Sequence, residues 1–276
     1  MDTAPSHQWK PTKIRREIEA LDTGSEVVQV ETDAGRAFAK FPGGGEGPHV
    51  LACELVGTRL AEWMGLPVFD SVLLDYSGVP EITLHKGEKA KAGTVWLTRR
   101  VDGFPWGGHE DDLKYLANPE DLAKLVLLDQ WTRNCDRYRP ESQQAPRRIN
   151  RNNVFLMREG APAGRFILVA MDHTHILTCG GELTPKLARI DLVRDVTQFG
   201  LFPEFLPHLK RADAERAVAA MIAIPADAIS TLIRFIPSDW QVESPVREAL
   251  VDFLIQRRDW LAKDFVSRLF PQGELL

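Results

Sequence analysis

The chain has 276 residues, 44% of them hydrophobic and 26% charged, an ordinary globular balance that argues against wholesale disorder. A formal net charge of -5 excludes a nucleic-acid binder that works through overall basicity, while leaving room for local basic patches. There is no apolar run of membrane-spanning length, no apolar signal core near the start and no CxxC among Cys53, Cys135 and Cys179, so a cytoplasmic protein with free thiols is expected.

Residues 1–19 read as an N-terminal extension. Thr23, Gly24 and Ser25 then form a short turn whose amides and hydroxyls make it a candidate phosphate-binding loop. Glu26 to Val30 is β-rich, Asp33, Ala34 and Gly35 make a turn, and Arg36 to Phe41 follows, which together predict a hairpin. Lys40 alternates there with Ala39 and Phe41, and a lysine on a fixed strand can hold the α- and β-phosphates of ATP. The glycine run Gly43, Gly44, Gly45 and Gly47 lacks the Lys-Ser/Thr of a P-loop and reads as a connector. HVLACELVGTRLAEWMG predicts a helix opened after Pro48 and closed by Gly65. Glu54 shares a stripe of that helix with Leu51, Thr58 and Ala61, so it needs a cationic partner, and Lys40 is the one expected. Val68 to Tyr76 and Thr94 to Arg99 are further strands. The second leads into a hinge at 97–102, where Leu97 and Thr98 are expected to meet adenine.

After Asp102 the pattern turns helical. DLAKLVLLDQWTRN is a helix, and the polar loop NCDRY after it carries Asp136, a carboxylate able to accept a proton from a substrate hydroxyl or to orient it. Asn153 to Met157 and Phe166 to Ala170 predict a second hairpin. Centring it on GAPAG sets Met157 opposite Leu168 and Phe155 opposite Ala170, and by extension Asn153 opposite Asp172. Directly opposed Cα atoms lie about 4.5–5.5 Å apart, so an amide and a carboxylate oxygen would meet, a donor pair that suits Mg²⁺. Helices are predicted over 185–196, 212–224, 226–235 and 245–269, with Trp63, Trp131, Trp240 and Trp260 in the core. The loop holding Arg137, Arg139, Arg147, Arg148 and Arg151 reads first as a solvated surface segment. The other reading is a clamp for an acidic or phosphorylated substrate or for nucleic acid, through residues 137–151. His173, His175 and Cys179 lack a fourth partner for zinc.

Together GRAFAKFPGGGEGPHVLACELVGTRLAEWMGLPV, LLDQWTRNCDRY, NNVFLM and VAMDH resemble the HipA-like kinases, of the compact type whose kinase domain fills the chain. IPSDWQVESPVREALVDFLIQRRDWLAKDF fits as well, so the resemblance spans residues 20–268. It implies an α+β, bilobal, protein-kinase-like fold, with a small β-rich N-lobe at 20–100 and a larger helical C-lobe at 101–276. It further implies ATP with Mg²⁺, phosphorylation of protein serine or threonine, and, since some members are toxins, an antitoxin-like partner. In that scheme Lys40 holds phosphates, Glu54 pairs with it, Asp136 is the catalytic aspartate, and Asn153 and Asp172 hold the metal.

Two departures stand out. Tyr138 sits where the family has histidine, and Asn153 follows Asp136 by seventeen positions (153 minus 136) where the short kinase pattern has five. The added length at 139–151 makes Asn150 and Asn152 rival metal ligands. Asn153 is preferred because the apolar Val-Phe-Leu run follows it directly. Two other readings stay open: a kinase-fold enzyme that acts on a lipid or small molecule or transfers AMP, and a catalytically silent nucleotide-binding module.

Overall fold

Alternation of apolar and polar residues builds the first sheet in the computed structural model, which describes residues 9–142 and 145–271. The strands are β1 (Ile14–Ala20), β2 (Val28–Thr32), β3 (Gly35–Lys40), β4 (Ser71–Tyr76) and β5 (Gly93–Arg99). They pair antiparallel in the order β1-β2-β3-β5-β4. Val28, Val30, Ala37, Ala39, Val95 and Leu97 point to one face and close a small apolar core with Phe41, Ile82 and Leu84. Phe38, Lys40, Trp96 and Thr98 alternate with them and so face the other way, toward the rest of the molecule.

β1 was not legible in advance, because its residues lie largely in the expected extension at 1–19. Its sequence IRREIEA is crowded with charge, which hides the strand period but suits an edge strand, where charge discourages pairing with another chain. The glycine run also does more than connect. A Cβ on Gly44 would sit 3.1 Å from the Ser25 carbonyl oxygen, and one on Gly45 would sit 3.0 Å from that of Gly24. Two backbones meet there, and the run packs against the turn between β1 and β2.

Helix α1 (Val50–Trp63) is buried on nearly every side from Val50 to Ala61, as a helix caught between two layers must be. Beyond β5 come β6 (Gly103–Pro105), α2 (Glu110–Leu113) and the central α3 (Asp121–Thr132), in which every residue but Lys124 is buried. A short ribbon, β7 (Tyr138–Arg139) with β8 (Arg148–Ile149), precedes β9 (Val154–Met157) and β10 (Ile167–Ala170). The last two join β6 in a three-stranded sheet, order β10-β9-β6. Then follow α4 (Ile176–Cys179), α5 (Ile190–Val193), α6 (Arg211–Ile222), α7 (Ala226–Arg234) and the 26-residue α8 (Ser244–Leu269). No single helix among the described residues is long and apolar enough to cross a membrane.

Three expectations need correction. The β9–β10 register is one residue off the one derived above: Met157 pairs with Ile167 and Val154 with Ala170. Tight turns at Arg158–Ala161 and Pro162–Arg165 replace the single turn centred on GAPAG. The helix expected at 185–196 is a 3-10 turn at Pro185–Ala188 and the separate α5, broken where Arg189 is extended. The buried Arg257 of α8 takes the carbonyls of Leu192 and Val193, at 3.0 and 2.9 Å, so the end of α5 is bonded to another helix. Of the four tryptophans, Trp131 and Trp240 are buried and Trp260 is partly so, whereas Trp63 is 38% exposed at the end of α1.

Candidate active site

A cavity of about 470 Å³ lies between the Phe38–Lys40 face of the first sheet and the β9–β10 hairpin. Val27, Phe38, Phe69, Val101, Phe155 and Met171 give it apolar walls, and Lys40, Glu54, Asn153 and Asp172 form its polar end. Thr23 and Ser25, on the β1–β2 turn, line it, and Gly24 lies between them. Thr23 Oγ1 accepts a hydrogen bond from the Val27 amide at 2.9 Å, which stiffens that turn. Thr98 lines the cavity as expected. Leu97 does not, because strand alternation sends its side chain into the opposite core. Thr98 to Val101 form the wall where the hinge was expected.

Lys40 is the centre of the polar end. Its Nζ donates to Glu54 Oε2 at 2.8 Å and to Asp172 Oδ1 at 3.2 Å. Burial pulls the ammonium down, but the charges of Asp172 and Glu54 outweigh it and hold Lys40 above the usual lysine value. Burial likewise lifts Glu54, against the lysine's pull. Asp172 resists burial through Lys40, aided by the Thr174 hydroxyl, and falls to about 2. Lys40 is therefore charged, oriented and tied to both layers.

Glu54 Oε2 also accepts the His173 amide, at 3.2 Å. Helix α1 approaches that segment closely: a Cβ on Gly57 would lie 2.3 Å from the His173 Cβ. Asp172 itself has φ of 54°, a left-handed conformation that aspartate tolerates better than most residues. That turn, rather than a direct strand pairing with Asn153, brings its carboxylate to Lys40. Both hydrogen bonds to Asp172 fall on Oδ1, leaving Oδ2 with no bond among the described residues.

Asp136 is buried in the loop that starts where Arg133, with φ of 55°, ends α3. Its Oδ2 accepts the Asn153 side-chain amide at 2.6 Å and that of Asn150 at 3.1 Å. Asn153 also lines the cavity, whereas Asn152 is exposed. Among the three asparagines, Asn153 is thus the one that links Asp136 to the cleft. Arg148, from β8, forms an ion pair with Asp136 Oδ1.

Arg137, adjacent in sequence to the basic loop, belongs to the core instead. It is fully buried, paired with the equally buried Asp129, and its Nε donates to the Asn153 carbonyl at 2.9 Å. A second arm reaches the carbonyl of Met171, the residue before Asp172. One guanidinium thereby holds both arms of the β9–β10 hairpin beside Asp136. The signal was Asp129 within the apolar run LVLLDQW, a buried charge that demands a partner. The other arginines lie nearer the surface, Arg147 and Arg148 exposed and Arg139 and Arg151 half-buried, and each makes a contact within the chain. Arg139 bonds the Pro146 carbonyl, Arg147 lies over the Tyr138 ring, and Arg151 pairs with Glu204.

No protein-family model matches the chain, and no curated protein sequence matches it. Among solved structures, the chain is similar to the crystal structure of a Helicobacter pylori proinflammatory kinase, CtkA. The TM-score is 0.59, over 98% of this chain and 100% of that one, at 14% identity. The fold is thus kinase-like, a β-rich part joined to a helical part.

Proposed function

We propose that this chain is a phosphotransferase that takes ATP with Mg²⁺ into the cleft and passes the terminal phosphoryl group to a hydroxyl acceptor. The observation that carries this reading is Lys40, held 2.8 Å from Glu54 and 3.2 Å from Asp172 at the polar end of an apolar-walled cleft. The apolar walls suit an adenine ring, with Thr98 to Val101 beside it. Lys40, kept charged by Glu54, meets the α- and β-phosphates, and the Thr23–Ser25 turn supports them from above.

The oxygens present fit Mg²⁺: Asp172 Oδ2 carries no other bond, and the Asn153 amide, its nitrogen spent on Asp136, has its oxygen left to offer. When bound there, the ion neutralises charge on the phosphates. Asp136 takes the proton of the acceptor hydroxyl, with Asn150 and Asn153 holding its Oδ2. A protein serine or threonine is the acceptor we favour, on the segment resemblance described above. A lipid, a small molecule or AMP transfer would be separated from it by the mass added to the product.

Calorimetric titration with ATP and Mg²⁺ tests the nucleotide half of the reading. Lys40→Met is expected to weaken ATP binding by about thirtyfold, the equivalent of roughly 2 kcal/mol. Unchanged affinity would reject it.

A second reading has its own support. Arg148 occupies Asp136 Oδ1, as expected of a nucleotide-binding module without turnover. ATP binding with no transfer in either the wild type or Arg148→Ala would favour it. Transfer restored by Arg148→Ala would mark the ion pair as a brake on an active enzyme.

A further inference from the structure

The β7–β8 ribbon sets two guanidiniums beside the candidate catalytic aspartate. Its register pairs Arg139 with Arg148 and Tyr138 with Ile149. Tyr138 is buried and Ile149 packs against the main core, so strand alternation turns Arg139 and Arg148 to the other face. Like charges placed directly opposite repel, and an anion beside them offsets that repulsion. The chain supplies one: Asp136 Oδ1 forms an ion pair with Arg148 and meets no other donor among the described residues. Arg139 donates to the Pro146 carbonyl at 3.0 Å and has no carboxylate partner among the described residues. Glu141, the one acidic residue between Tyr138 and Ile149, pairs with neither arginine.

The Arg148 contact sets a condition on turnover. Asp136 Oδ2 already accepts from Asn150 and Asn153, so an acceptor hydroxyl must come to Oδ1, where Arg148 sits. The Arg148 side chain is 44% exposed and can turn outward. An anion on the acceptor that takes its charge frees Oδ1 as the hydroxyl arrives.

We propose that Arg139 and Arg148 form the acceptor-recognition site, and that the acceptor is a serine or threonine peptide with aspartate or glutamate beside the hydroxyl. The proposal rests on the phosphotransfer reading. The acceptor carboxylate exchanges with Asp136 on Arg148, and Asp136 itself shows which anion that guanidinium accepts. In the transfer the hydroxyl oxygen bonds the γ-phosphorus, the bond from that phosphorus to the β–γ bridging oxygen breaks, ADP leaves, and the hydroxyl proton goes to Asp136. Arg147 is a control of equal charge, since it lies over the Tyr138 ring, on the ribbon's other face.

The test measures transfer from ATP with Mg²⁺ by the full-length chain to two peptides, a single serine flanked by glutamates and the same serine flanked by glutamines. Anisotropy of the labelled peptides reads binding without turnover. The acidic peptide should have a kcat/KM at least about tenfold higher, an advantage that shrinks as NaCl is raised. Arg139→Gln should lower that ratio at least about threefold, chiefly through KM. Arg148→Gln should lower it too, while raising transfer to the neutral peptide. Arg147→Gln should leave the ratio within about twofold. Equal kcat/KM on both peptides would overturn the proposal and leave the phosphotransfer reading standing. Selective binding of the acidic peptide with no transfer to either would reject that reading and the acceptor role together. Equal losses in Arg147→Gln and Arg139→Gln would replace a site by diffuse attraction and overturn the proposal. So would a single-stranded oligonucleotide that binds more tightly than the acidic peptide and displaces it.

Discussion

Lys40 neutralises two carboxylates, so its loss has an effect on stability separate from any effect on activity. Lys40→Met leaves Glu54 buried beside Asp172 without a cation, at a cost of about 3 kcal/mol at neutral pH. Glu54 is already raised by burial, and the variant raises it further, so the folded state binds a proton that the unfolded state lacks. The deficit should therefore shrink as the pH falls toward 5, measured by urea denaturation at both values. Arg137→Ala should cost about 3–5 kcal/mol in the same assay, because Asp129 has no solvent to fall back on. Gly57→Ala should cost about 1–3 kcal/mol, since a Cβ there collides with His173. At this scale the Lys40–Glu54 pair was readable, because a glutamate on a partly apolar helix stripe needs a cation. Arg137 escaped because its neighbours Arg139, Arg147, Arg148 and Arg151 disguised a structural arginine as part of a basic loop. Leu97 and Thr98 do not both line the cleft, because adjacent strand residues face opposite ways.

The elements that carry the site were mostly legible from their periods, and the misses have physical causes. β2 and β3 alternate and α8 carries a one-sided apolar stripe, whereas α1 and α3 are apolar on nearly every side and are legible from their length and end signals. β1 shows no such pattern, because an edge strand presents charge to water. The β9–β10 register slipped by one because turn geometry sets register, and the Arg158–Arg165 connection folds as two turns. Asp172 still reaches Lys40 because its left-handed backbone redirects it. The N-terminal segment is anchored by Asp33, which accepts the Thr12 hydroxyl and, at 2.9 Å, the Thr12 amide. The hydroxyl chiefly holds Asp33 at about 2 rather than 3.8. A lowered value means that this anchor is intact above about pH 4 and is lost as the pH falls through about 2. Thr12→Val should return the Asp33 titration, followed by carboxyl NMR, toward 3.8.

Across the whole molecule, one of the segments by which the helical part holds the first sheet is the 3-10 turn Ser238–Trp240. Trp240 Nε1 donates to the Thr94 carbonyl at 2.8 Å, and Asp239 Oδ2 accepts the Thr94 amide at 2.6 Å. Trp240→Phe removes the N–H donor and one of the two fused rings, orphaning the carbonyl and leaving a small cavity, so it should cost about 1–3 kcal/mol and speed hydrogen exchange along β5. No local pattern announced this strap, since Thr94 and Trp240 lie 146 positions apart. The central claim is that Lys40, Asp136, Asn153 and Asp172 form one phosphotransfer site. Its most direct test is transfer of the γ-phosphoryl from ATP with Mg²⁺ by purified wild type, Asp136→Asn and Asp172→Asn. Wild-type transfer that falls by about a hundredfold or more in both variants is predicted. Transfer at the wild-type rate by both variants would contradict it.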